Sequence, residues 1–208
     1  MKELSAVHVR VVGTLIEKEM ATPDNYPLTL NALVAACNQS SNRTPVMQLD
    51  DPAVQGALDE LRAAGLTRIV YSRSNRAAKF RHVLDESLRL EPPDLAALAV
   101  LMLRGPQTAS EVRARTERLH QFDSQAELDD VLSRLAAREE PLVVRLERQP
   151  GQKEARWTHL LAGEPDLTQL APVAVAAPPR EDRVAALEAQ IADLRAEVDR
   201  IKSELGLD

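Results

Sequence analysis

The chain has 208 residues, 44% hydrophobic and 28% charged, with a formal net charge of −6 and a single cysteine, Cys37. Such a composition excludes wholesale disorder, and the lone cysteine excludes an internal disulfide framework or a cysteine-based zinc cluster. Aromatics are only 2% of the residues, too few for an extended base-stacking platform, and no glycine pattern forms GxGxxG or GxxxxGK.

The apolar run Leu95–Leu103 is far short of the ~20 residues a membrane span needs. Met1-Lys-Glu-Leu4 carries no apolar signal core. The expectation is a soluble cytoplasmic protein.

Leu4 to Met20 reads as a helix, with Leu4, Val7, Val11 and Leu15 on one face at spacings of three and four. The prolines of Thr22-Pro-Asp-Asn-Tyr-Pro27 break it. A second helix starts at Thr29 as N-cap and turns Leu30, Leu33, Val34 and Cys37 inward. Asn38 to Pro45 is a polar loop. The third helix is capped by Asp51, opens with Pro52, buries Val54, Leu58 and Leu61, and stops at Gly65. The period then becomes two, in Thr67–Ser72 and Lys79–Val83 around the connection 73–78. Three helices followed by a β-hairpin is the order of a winged helix-turn-helix domain, with the hairpin as wing.

The pattern repeats after Pro92-Pro93. Asp94 caps a helix that ends at Gly105-Pro106. Thr108 with Glu111, and Ser124 with Glu127, have capping-box spacing. Leu142–Leu146 and Glu154–Leu160 form a second hairpin. Leu58, Leu61 and Leu66 align with Leu132, Leu135 and Leu142, and Phe80 aligns with Trp157, which reads as an internal duplication. The fold class is mainly α with small antiparallel wings, the tandem domains spanning 1–88 and 89–164.

Residues 165–180 are rich in proline and alanine and read as a semi-rigid linker. In 181–205, Val184, Leu187, Ile191, Leu194, Val198, Ile201 and Leu205 alternate at spacings of three and four. That is the a/d seam of a coiled coil, expected to join two copies of the chain in parallel. The alternative is one amphipathic helix folded onto its own domain.

Two segments carry a family resemblance. Leu15-Ile-Glu-Lys-Glu-Met-Ala-Thr-Pro-Asp-Asn-Tyr-Pro-Leu-Thr-Leu-Asn-Ala-Leu33 and Ala36-Cys-Asn-Gln-Ser-Ser-Asn-Arg-Thr-Pro-Val46 resemble the bacterial YceH-like family, as do Leu103–Thr108, Arg113–Thr116 and Thr158–Leu161. The resemblance runs from about Val7 to Glu164. It implies tandem winged-helix domains and no assigned reaction. Ser40 departs from a pattern that often has lysine there, which weakens the case for a basic contact at that point.

Charge is distributed unevenly. Residues 1–90 carry eleven basic and ten acidic side chains, residues 91–165 ten and thirteen, and residues 166–208 five and nine. An acidic protein meets nucleic acid only through a local basic patch. One exists: Arg62, Arg68, Arg73, Arg76, Lys79 and Arg81, with no acidic residue between Arg62 and Leu84. Arg73, Arg76, Lys79 and Arg81 are candidates for phosphate contact; the bland alternative is a solvated hairpin. Asn42 and Arg43 are further candidates, in a loop whose amides and hydroxyls equally suit local capping. Residues 50–64 and 124–140 hold the presumed recognition helices, and each stretch sums to −3, which disfavours insertion into a major groove.

The Glu17-Lys18-Glu19 and Asp24 cluster reads as a solvated helix end or as partners for Arg43, rather than as catalytic carboxylates. His8, His82, His120 and His159 show no metal-ligand spacing. Cys37 reads as a buried inert thiol. Arg113, Arg115 and Arg118 could extend a basic surface, with Glu111 and Glu117 near enough to pair with them. Neither a cofactor nor an enzymatic constellation is expected. The leading expectation is a dimeric, DNA-binding, regulator-like protein that uses the first wing. The rival is a protein–protein scaffold of the tandem winged-helix type found in chromosome-segregation complexes.

Overall fold

The computed structural model describes residues 3–72, 75–148 and 152–165. The chain divides into two units after Pro165. The coiled-coil seam from Val184 to Leu205 and nearly all of the 165–180 linker lie outside the described residues.

The element order is α1 (Ala6–Ala21), a 3-10 turn (Pro23–Asn25), β1 (Leu28–Thr29), α2 (Leu30–Cys37), α3 (Asp51–Ala63), β2 (Thr67–Ser72), β3 (Asn75–His82) and α4 (Leu84–Leu88), then α5 (Pro92–Arg104), β4 (Gln107–Thr108), α6 (Ala109–Thr116), α7 (Gln125–Ala136), β5 (Val143–Arg145) and β6 (Arg156–His159). The fold is mainly α with two small antiparallel sheets, ordered β1-β3-β2 and β4-β6-β5. No helix among the described residues is long and apolar enough to cross a membrane.

Polar side chains start the helices. Ser5 Oγ accepts from the His8 N–H, and His8 Nδ1 accepts from the Ser5 N–H, closing a capping box on α1. Thr29 caps α2 and Thr108 caps α6, the latter in a full box with Glu111. Three caps differ from the sequence expectation by a residue or a role. Asp50, not Asp51, caps α3 and accepts from the Ala53 N–H at 2.9 Å. Pro52 then falls at the second helical position, where no intrahelical donor is needed. Asp94 sits three residues inside α5 and accepts from the Glu91 N–H at 3.0 Å. Ser124 caps α7, but Glu127 reaches one residue further back, to the Asp123 N–H at 2.7 Å.

Helices α1 and α5 form the centre. Every residue from Val9 to Ile16 is buried, and every residue from Asp94 to Leu103. The one-faced stripe read in α1 is therefore incomplete: a helix packed on one side by its own half and on the other by α5 hides its whole circumference. Gly13 permits the approach, since a Cβ there would lie 3.1 Å from Met102 Cβ and 3.2 Å from Leu103 Cδ2. One continuous hydrophobic core, from Leu4 through Leu161, results.

The two halves match at the level of single hydrogen bonds. Leu66 N–H donates to Leu61 O and Val83 N–H to Leu66 O; Leu142 N–H donates to Leu135 O and Leu160 N–H to Leu142 O. Strand registers match as well, Leu28 facing Phe80 and Gln107 facing Trp157. Strands β1 and β4 are two residues long, too short to show a period, and α4 is a single turn; none of the three was read from the sequence.

Candidate nucleic-acid interface

Alternation along β2 and β3 sorts the first sheet into two faces. Phe80 is buried, opposite Ile69 and Leu28. The other face carries Arg68 opposite Arg81, and Val70 and Thr29 opposite Lys79. Three of the six patch cations therefore share one outer surface. Arg73 lies outside the described residues, and Arg76 is described only as part of the β3 backbone. Arg62 is on α3, paired with Asp59 at 3.1 Å.

The directly opposed Arg68 and Arg81 repel each other. Glu86 of α4 relieves this by binding both, at 2.9 Å to Arg68 and 2.6 Å to Arg81. The Arg81 hydrogen bond holds the Glu86 carboxyl below its ordinary range, and the same bond raises the Arg81 guanidinium. All three groups are solvent-accessible, so water and salt screen the cluster and a competing anion can reach it. Lys79 makes no ion pair among the described residues. Tyr71, at the end of the same hairpin, is 78% exposed.

Helix α3 faces solvent with Asp51, Asp59 and Glu60. Asp59 is engaged by Arg62 and Gln55, and Glu60 lies 3.4 Å from His8. These contacts do not remove the carboxylates from the surface that would face a groove.

Arg43 is placed in the interior. Its side chain is fully buried and every N–H is used: two go to Glu17 at 3.0 and 2.6 Å, and the others reach Ala36 O, Asn42 O and Gln39. Burial alone would raise the Glu17 carboxyl, but the hydrogen bonds and charge of Arg43 bring it below its ordinary value. Arg43 thus clamps the loop 38–50 to α1 and offers no donor to an outside phosphate. Asn42 is exposed, at a φ of 61°, and its side-chain oxygen accepts from Arg104. Asn38 also serves the loop, bonding both the N–H and the C=O of Leu49.

The remaining candidates are accounted for by their partners. Glu19 meets the buried His82, whose own N–H donates to the Tyr26 hydroxyl. Burial, reinforced by Glu19, raises the Tyr26 phenol above its ordinary value. His120 stacks edge-on with Phe122. Burial pushes the Cys37 thiol up, and it bonds Thr14. Arg113 donates to Phe122 O. Arg10, also buried, donates to Cys37 O and Pro45 O.

A family model described as "Protein of unknown function, DUF480" matches residues 4–152. The chain is 51% identical over 200 residues to a UPF0502 protein of Geobacter sulfurreducens, covering 92% of this chain and 90% of the relative. It is 49% identical over 214 residues to one from Geotalea uraniireducens, covering 97% of each. It is 46% identical over 203 residues to one from Chromobacterium violaceum, covering 98% and 92%. The two motifs that carry the YceH-like resemblance both lie inside the matched segment.

Proposed function

Because the chain belongs to the DUF480/UPF0502 family, a family of unknown function, its own surface must supply the reading. We propose that it is a non-enzymatic, cytoplasmic, DNA-binding regulator, dimeric through residues 181–205. In this reading both halves are winged-helix domains and the β2–β3 hairpin is the wing that contacts the duplex.

The observation that supports this best is the strand register that gathers Arg68, Lys79 and Arg81 on one solvent face against a single carboxylate, Glu86. Phosphates approaching that face exchange with Glu86 for guanidinium groups that are already aligned. Arg73 and Arg76 belong to the same hairpin in sequence and extend the charge. The carboxylates of α3 argue against base reading by that helix, so the contact is to the backbone and its specificity comes from groove shape.

The test is binding of the full chain to mixed duplex fragments at ~50 and ~200 mM salt. Retention should fall steeply with salt, and Lys79→Glu with Arg81→Glu should abolish it, as should Arg73→Glu with Arg76→Glu. Binding that ignores both pairs of changes would sink the wing assignment.

A second reading, a protein–protein scaffold, draws support from the acidic α3 face and from Tyr71 and Val46, which are 78% and 55% exposed. It requires a stoichiometric partner held at high salt and indifferent to nuclease.

A further inference from the structure

Away from the hairpin, a cleft of about 470 Å³ opens where the C-terminal ends of α1, α5 and α6 meet the 38–42 loop. Four cations line it: Lys18, Arg104, Arg115 and Arg118. Glu17 is the single carboxylate in the lining, and both of its oxygens are already bound by Arg43. Lys18 lies 3.5 Å from Glu17.

The other three cations are poorly neutralised. Arg115 reaches Glu111 only at 3.8 Å, and Glu111 is already engaged by the Thr108 N–H and by Arg156. Arg104 donates to the Asn42 amide oxygen and forms no ion pair among the described residues. Arg118 is exposed and forms none either. Burial, and after it the Arg115 charge, push the Arg104 guanidinium below its ordinary value, as expected where like charges crowd together.

Helix C-termini attract cations, and three of them end here. Each supplies only about half a negative charge, which leaves a positive surplus in a protein whose net charge is −6. The Ser40 and Ser41 hydroxyls add donors, while Leu103 and Leu119 supply an apolar wall. A cleft of this size suits a small molecule, and planar guanidinium groups match phosphate oxygens in pairs.

We propose that this cleft binds a small phosphate ester, its phosphate held by Arg104, Arg115 and Arg118 and its organic part resting on Leu103 and Leu119. Lining residues come from both halves, so occupancy bridges them and stabilises the fold. The site shares no residue with the hairpin surface, and its fate is independent of the DNA-binding reading.

The experiment is calorimetric and thermal titration of the full chain with inorganic pyrophosphate, AMP and adenosine. Pyrophosphate and AMP should bind and raise the Tm; adenosine should do neither. Arg118→Gln, a change at an exposed side chain that leaves the fold intact, should weaken binding about tenfold or more, and Arg104→Gln added to it should weaken binding further. Lys79→Glu with Arg81→Glu should leave it unchanged. A blunt duplex lacking 5′ phosphates distinguishes a backbone phosphate from a free ester. Displacement of pyrophosphate by that duplex, no binding of pyrophosphate at millimolar concentration, or unaltered binding by the double variant would overturn the proposal.

Discussion

The two halves share a strand order and register and differ in what equivalent side chains meet. Lys79 and Arg156 occupy the same register, opposite Thr29 and Thr108. Arg156 is spent internally, on Pro106 O at 3.0 Å and Glu111 at 3.2 Å. Lys79, half-buried, forms no ion pair among the described residues, and the residue matching Glu111, three positions into α2, is Ala32. His82 and His159 also match, facing Thr67 and Val143. The buried His82 meets Glu19 and Asp85, whereas the covered Nδ1 of the half-buried His159 has no partner among the described residues. The two halves share the ladder and the caps, and single side-chain differences beside them decide which half shows charge to the outside.

The comparison breaks most severely at Arg43. The first half has the longer connection between its second and third helices, and Arg43 with Glu17 holds it. Arg43→Ala leaves the half-buried Glu17 carboxylate with only Lys18, at 3.5 Å, and should cost about 3 kcal/mol in urea denaturation. Because the Glu17 carboxyl is depressed in the folded state, the pair contributes fully above the unfolded value of about 4.3 and is lost as pH falls through the folded one. In Arg43→Ala, stability should fall less with acid in that range, since only the Glu17 share is lost. A cost under about 1 kcal/mol would show that the loop is held by other contacts.

In the second half the sensitive group is His159. Burial lowers its imidazole to about 4. The unfolded chain, at about 6.5, binds more protons between those values. Stability is therefore complete above about pH 6.5 and declines as pH falls toward 4, by at most about 3 kcal/mol. His159→Phe should flatten that decline in thermal melts across the window, and an unchanged slope would assign it to another group.

Gly13→Val tests whether the halves are separable. The added side chain enters Met102 and Leu103, at a cost of about 1–3 kcal/mol. With one core spanning both halves, the melt should shift as a single transition in circular dichroism. Two resolved transitions would mean that each half folds alone.

Local chemistry was legible in the sequence; pairing at a distance was not. Thr29, Thr108 and Ser124 announce helix starts because a cap acts on a backbone amide three residues away, and Gly65 announces a stop by its positive φ. The basic run from Arg62 to Arg81 was visible as charge, and alternation in β3 gave its outer face. Glu86 carries no signal in the sequence because α4 is one turn with no periodicity. Arg43 reads as a surface donor, as a local cap or as a partner of the acidic cluster; the choice rests on Glu17, 26 residues away on α1. The cleft cations stand apart in sequence: Arg115 and Arg118 read as basic surface, Lys18 as part of an acidic cluster, and Arg104 carries no signal of its own. Only the packing of α1 on α5 gathers them.

The smallest expected effects sharpen the comparison furthest. Glu86→Gln releases Arg68 and Arg81 and should raise affinity for duplex DNA a few-fold, with little change in Tm. Ala32→Glu should act in the opposite sense by transplanting the second half's arrangement into the first. Ala32 is exposed, so the change is tolerated, and the new carboxylate stands where Glu111 stands relative to Thr108 and Arg156. It would complete a capping box with Thr29 and stabilise the fold by about 0.5 kcal/mol. It would also draw Lys79 inward and remove one phosphate contact, lowering the salt slope of DNA binding by about 0.9. Glu111→Gln is the mirror experiment, loosening Arg156 and making the second sheet more like the first. If Ala32→Glu stabilises the chain while the salt slope stays the same, Lys79 plays no part in binding, and the charge that matters lies nearer the hairpin tip.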